Sequence, residues 1–313
     1  MAKSLRNINN RKRSITRRRQ FAGKPSKQET LYNDGLQLYK EFQLAFKEYD
    51  DNDGEQQYAN KAQRLLKQCM EKFIEAVNNP ESDDITMRSA FLIYRCQVDD
   101  DAIAYNMYPE ESAKYLKIAA DLGHPKACFL YSQLSDDLID SNGYSSTSAA
   151  KEAYFDKALS LKNPNAMVSH AYESVTIDSL NLLFEAFECY KYLEISDSDS
   201  NLLLGFNKHE IKSDINSLNE KVIVVFRDLI DNEYISITKN VNAEKKEEFM
   251  TLFNNYKKLS DYEAKILRIY HELTDEERKA FQNRTESKYD YIPKLFEILY
   301  ELHKNNKLTT QGN

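Results

Sequence analysis

Five histidines, His124, His170, His209, His271 and His303, are the side chains of this sequence best suited to acid–base or metal chemistry near neutral pH. None lies four residues from another, and none belongs to an H-E-x-x-H helix, so no zinc-binding pair is set up. His124 falls in a turn and His170 on the face where two helices are expected to pair, so both read as structural, His170 as a satisfied core histidine. The four cysteines, Cys69, Cys96, Cys128 and Cys189, are far apart and make no C-x-x-C motif. They fit small buried apolar residues of a chain kept in a reducing compartment. Asp50-Asp-Asn-Asp-Gly54 resembles the opening of a calcium loop, but Lys61 stands where the bidentate glutamate would be needed. The three carboxylates Asp99 to Asp101 point in different directions around a helix end and do not converge on one ion. Pairs such as Glu110-Glu111 and Asp136-Asp137 read as hydrated surface. Phosphate-cradling glycine loops and a G-x-S-x-G nucleophile turn are missing. The expectation is therefore no catalytic residue, no cofactor, no metal and no enzymatic activity.

The elements that would position any site are helices. Only 7 Gly and 6 Pro in 313 residues leave too few turn formers for an all-β chain. In Glu111–Leu134, Tyr115, Ile118, Ala119 and Leu122 recur at helical spacing, and so do Ala127, Leu130, Tyr131 and Leu134. Between them, Gly123 can take a left-handed conformation past a helix end, and Pro125 fits the first turn of the next helix. Apolar period predicts further helices over residues 28–50, 66–77, 84–104, 178–195, 209–230 and 292–303. Ser260 to Glu263 and Thr274 to Glu277 carry the capping-box pattern and are expected to start two helices. The tail 309–313 is expected to fray.

The pattern Tyr115-Leu116, Ala119-Ala120, Gly123-His124, Ala127 resembles a Sel1-like repeat, a relative of the tetratricopeptide repeat. Ser132 stands at the position where that family keeps a small residue for close helix crossing. Shifted by 39 residues, the pattern recurs as Tyr154, Phe155, Ala158, Pro164 and Ala166, with Ala171 at the close-crossing position. Phe73–Pro80 and Cys189–Ile195 are degenerate half-copies. The family's Gly-x-Gly loop is missing; Gly143 alone lies in 141–146. The resemblance implies an all-α solenoid of helical hairpins over 28–200 with a helical extension over 201–313. It also implies an adaptor that holds protein partners in a concave groove.

Charge separates one further segment. Ten of the 43 Lys and Arg lie in residues 1–27, with none of the 50 acids, which leaves residues 28–313 with a formal charge of −17. Such an arm is expected to stay unfolded. Its clusters Arg11-Lys12-Arg13 and Arg17-Arg18-Arg19 suit a nuclear import factor or the phosphates of a nucleic acid. A mitochondrial transit segment ranks last, because Leu5, Ile8, Ile15 and Phe21 make no amphipathic face. No run approaches the length of a membrane span. An intracellular scaffold is expected, cytoplasmic or nuclear; a bacterial effector secreted into a host cell is the alternative.

Overall fold

The computed structural model describes residues 25–51, 56–98, 109–173, 175–196, 206, 208–232, 235–237, 241–268 and 273–310. The arm residues Arg11, Lys12, Arg13, Arg17, Arg18 and Arg19, most of the Asp50–Gly54 turn, Asp99–Asp101, the acidic-serine stretch 197–200 and His271 lie outside them. The described chain is nearly all helical, as its low Gly and Pro content requires. One antiparallel ribbon of two three-residue strands is the exception. The chain divides into two compact units between Tyr154 and Phe155.

The first unit holds α1 (Lys27–Asp51), α2 (Gln56–Asn78), α3 (Asp83–Val98), α4 (Pro109–Asp121), α5 (Pro125–Ser132) and a 3-10 turn, Asp136–Leu138. It also takes the first part of α6 (Thr147–Ser160), as far as Tyr154. Each of α1 to α4 packs on the helix that follows it. The α1–α2 contact is close because Gly35 lies directly against the Phe73 ring. A Cβ on Gly35 would meet that ring at 2.6 Å. Ala45, Ala59, Ala62 and Ala76 are buried in these two helices and keep the approach short.

Gln28 fixes where α1 begins. Its side-chain amide is fully buried and makes four hydrogen bonds. Nε2 donates to Ala76 O (3.1 Å) and Thr86 Oγ1 (2.8 Å), while Oε1 accepts from the Glu81 and Ser82 amides (2.8 and 2.7 Å). One residue on α1 thus closes the turn between α2 and α3. Ser26 caps α1 by accepting from Glu29 N at 3.1 Å.

The second unit continues with α7 (Pro164–Ala171), α8 (Ile177–Ile195), α9 (Lys208–Asp231), α10 (Ala243–Leu267), α11 (Asp275–Glu286), a 3-10 turn (Ser287–Asp290) and α12 (Ile292–Lys304). Strand β1 (Ile235–Ile237) pairs antiparallel with β2 (Leu308–Thr310), Ile235 opposite Thr310. The core joins Phe184 and Phe187 of α8, Val222 and Phe226 of α9, Phe249 and Phe253 of α10 and Leu295 and Phe296 of α12. The expected boundary at residue 200 therefore does not divide the packing, since α8 and α9 share this core.

Several expectations are corrected. Of the expected frayed tail 309–313, Thr309 and Thr310 are strand, because β1 offers them a ladder, and residues 311–313 lie outside the described residues. Ser260 starts no helix but lies inside α10, where Phe249, Phe253 and Tyr256 carry the apolar stripe onward. Glu263 cannot reach back to cap because it is ion-paired with buried Lys288. Thr274 does cap α11. Glu277 N donates to its Oγ1 at 3.3 Å, and Glu277 Oε2 accepts from the Thr274 amide at 2.8 Å.

Candidate functional site

The Gly-His-Pro turn has a definite construction. α4 ends in a pair of reversed hydrogen bonds, Gly123 N to Ala120 O (3.0 Å) and His124 N to Ala119 O (2.9 Å), with Gly123 left-handed at φ 91°. Such bonds satisfy the carbonyls left over at a helix end. His124 then caps α5. Its Nδ1 accepts from Ala127 N at 3.2 Å, its ring stacks on Phe91 at 3.9 Å, and Pro125 opens the helix.

The same turn recurs 39 residues on, bond for bond. Lys162 N donates to Leu159 O (2.9 Å) and Asn163 N to Ala158 O (3.0 Å). Asn163 Oδ1 accepts from Ala166 N at 3.0 Å, and Pro164 opens α7. Lys162 takes the left-handed conformation (φ 58°) that Gly123 takes with no Cβ penalty. His124 and Asn163 thus cap their helices from equivalent places.

The residues of the repeat pattern fall as follows. Leu116, Ala119, Ala120, Ala127 and Ser132 are buried in the first unit, and so is Tyr154; Ala158, Pro164, Ala166 and Ala171 are buried in the second. Tyr115, Pro125 and Phe155 are half-buried. The buried face of α4 is Ser112, Ala113, Leu116, Ala119 and Ala120. Tyr115, Ile118 and Leu122 were expected to form that stripe but lie at its margin or outside it. Small residues take the tight contact and push the large ones to the rim. His170 is likewise no core residue: it is exposed and lies 3.0 Å from Glu173.

Beside α4 a cleft of about 290 Å³ opens in the first unit. Ala113, Leu138, Ile139 and Tyr131 make its floor, and Glu110, Lys114, Lys117, Asp137 and Asp140 make its charged rim. The loop after α5 is fastened over it by Tyr131, whose hydroxyl oxygen accepts from Asp140 N at 2.8 Å. The Lys117 ammonium lies 2.8 Å from Asp121 and 3.8 Å from Asp140. Tyr154 donates to Asp121 in a short hydrogen bond and meets the Tyr131 ring edge-on at 4.7 Å.

Burial raises the Tyr131 and Tyr154 hydroxyl pKa values, and for Tyr154 the Asp121 carboxylate adds to the effect. Burial lowers that of Lys117, but Asp121 and Asp140 outweigh it and the group rises. The Ser135 hydroxyl holds Asp137 below its ordinary value. At neutral pH, then, the phenols keep their protons, the lysine its charge and Asp137 its ionised form. The cleft thus sets an apolar floor beside charged groups of both signs. The i,i+4 spacing on α4 marks Lys117 and Asp121 as neighbours, but nothing in the sequence spacing joins Asp140 to them, because the irregular loop after α5 brings it in.

Among the described residues no group of three metal-ligating side chains converges, and no helix is long and apolar enough to cross a membrane. Comparison with protein-family models, with curated proteins and with solved structures finds no match to this chain.

Proposed function

We propose that this chain is a Sel1-like, tetratricopeptide-like stack of helical hairpins that works as a non-enzymatic scaffold for protein partners. The observation that carries the reading is the recurrence of the His124 turn at Asn163, with the same reversed bonds, the same cap and the same proline. A helix-turn-helix unit that cannot bury its apolar faces alone is stable when it packs against others of its kind, and such stacks expose extended binding surfaces. The cleft along α4 is the partner-binding segment in this reading, with an apolar floor for an anchoring side chain and a rim of both charge signs to set register. The test reverses the rim charges with Glu110→Lys and Lys114→Glu, both exposed positions. Chemical crosslinking and affinity capture from a cell extract are compared with the parent chain. Capture should fall at least tenfold while the melting temperature stays unchanged; undiminished capture by a folded variant refutes the cleft as the binding surface.

The cationic arm favours a second contact, with nucleic acid. Its ten basic side chains and lack of acids would release counterions from phosphates, so binding should weaken steeply with salt and vanish on removal of residues 1–24. The cut belongs before Pro25, because Ser26 caps α1 and Lys27 begins it. Salt-independent binding of RNA and DNA, or binding that survives the truncation, would assign the arm to an address, such as nuclear import within the cell.

A further inference from the structure

Cys69 of α2 and Cys96 of α3 face each other inside the first unit with their sulfurs 3.9 Å apart. Cys69 is fully buried and Cys96 is 4 % exposed. The Cys69 thiol also approaches the Leu66 carbonyl of its own helix at 3.0 Å. A disulfide needs its sulfurs about 2.05 Å apart, so closure asks for about 2 Å of combined movement of the two sulfurs. Cys128 lies 3.3 Å from Ala120 O, and Cys189 is half-buried.

We propose that Cys69 and Cys96 form a dithiol oxidation site that hydrogen peroxide converts to an intramolecular disulfide. Peroxide is little larger than water and can reach a site that excludes bulky oxidants. The Cys96 thiolate, on the less buried residue, attacks one peroxide oxygen, the O–O bond breaks, and a sulfenic acid and one water result. The Cys69 thiol then attacks the sulfenic sulfur, forms the S–S bond and releases a second water. Two thiols lose two electrons and two protons, and one peroxide is reduced to two waters. The bond pins α2 to α3 across the same turn that Gln28 closes from α1.

The test treats the folded full-length chain with millimolar peroxide. It then alkylates the remaining thiols and maps disulfide-linked peptides by mass spectrometry. The expected result is a loss of two mass units, two free thiols where four were present, and one linked peptide pair containing Cys69 and Cys96. A reductant should reverse it, and the melting temperature of the first unit should rise by about 5–10 °C. Oxidised glutathione, being bulky, should give no bond in the folded chain. Cys96→Ser should abolish the crosslink, and a Cys128→Ser, Cys189→Ser chain should keep it. The peptide map needs no variant, so a poorly folding substitution does not stand in its way. Four free thiols after treatment, a bond that uses Cys128 or Cys189, a crosslink only between two chains, or closure only in urea would each overturn the proposal.

Discussion

Replacing Gln28 by alanine removes an amide that makes four hydrogen bonds from the first turn of α1 to the turn between α2 and α3. Each such bond is worth about 0.5–1.5 kcal/mol net, and a buried group left unpaired costs more than the bond it lost. Three of the stranded partners recover in part. Ser82 and Glu81 reach solvent, and Thr86 Oγ1 keeps its bond to Ser82 O at 3.0 Å. The Ala76 carbonyl has no such substitute from Gln28, and the lost methylene burial adds about 0.8 kcal/mol. The expected cost is about 3–4 kcal/mol in the first unit. Hydrogen exchange followed by mass spectrometry is the assay, because the chain has no Trp and its two units need separate readouts. Peptides covering Glu81, Ser82 and the start of α1 should exchange at least a hundredfold faster, while peptides of α9 and α12 should not change. Gln37→Ala, which removes only an exposed contact to Glu41, is the control and should stay within about 0.5 kcal/mol. Unchanged protection around Glu81 in Gln28→Ala would refute the reasoning.

Gly35→Ala puts a Cβ 2.6 Å from the Phe73 ring and should destabilise the α1–α2 pair by about 1–3 kcal/mol. Adding Phe73→Leu should recover part of that loss, read as a double-mutant cycle in urea unfolding. His124→Asn keeps an oxygen to accept from Ala127 N, as Asn163 does 39 residues later, whereas His124→Ala does not. The Asn variant should exceed the Ala variant by about 1 kcal/mol in thermal unfolding, and equal stabilities would contradict the capping role. Burial holds the His303 pKa below its ordinary 6.5 while the ring stacks on Phe184 at 4.3 Å. The folded state thus binds this proton less readily than the unfolded one. The stability it contributes is complete above 6.5 and is lost as pH falls from there toward the lowered value. Melting of the second unit should decline over that interval, and His303→Gln should flatten the slope.

Much of the helical architecture was legible because period 3.6 is a local signal. Leu66, Cys69, Met70 and Phe73 announce α2, and Leu295, Phe296 and Leu299 announce α12. Gly123 and Pro125 announced the end of one helix and the start of the next, since their backbone needs are met nowhere else in that stretch. Failures arose where distant residues decide. Glu263 looked free to cap Ser260 but is engaged by Lys288, 25 residues away. Leu308–Thr310 has β propensity, yet its ladder comes from Ile235–Ile237, far back in the chain. In the candidate site, the i,i+4 pair Lys117–Asp121 was legible, but the reach of Asp140 to Lys117 was not, because an irregular loop supplies it. Gln28 carries four bonds from a position no motif distinguishes.

The β1–β2 ribbon has a consequence for how this chain is made. Ile235 and Ile237, 2 % and 7 % exposed in the finished fold, lie on a strand whose only sheet neighbour among the described residues is Leu308–Thr310. A growing polypeptide emerges from the ribosome at about 5–20 residues per second, so the earlier strand waits several seconds for its mate. During that interval its edge and its two isoleucines are bare, and a ribosome that stalls before residue 308 would present them to chaperones and to other nascent chains.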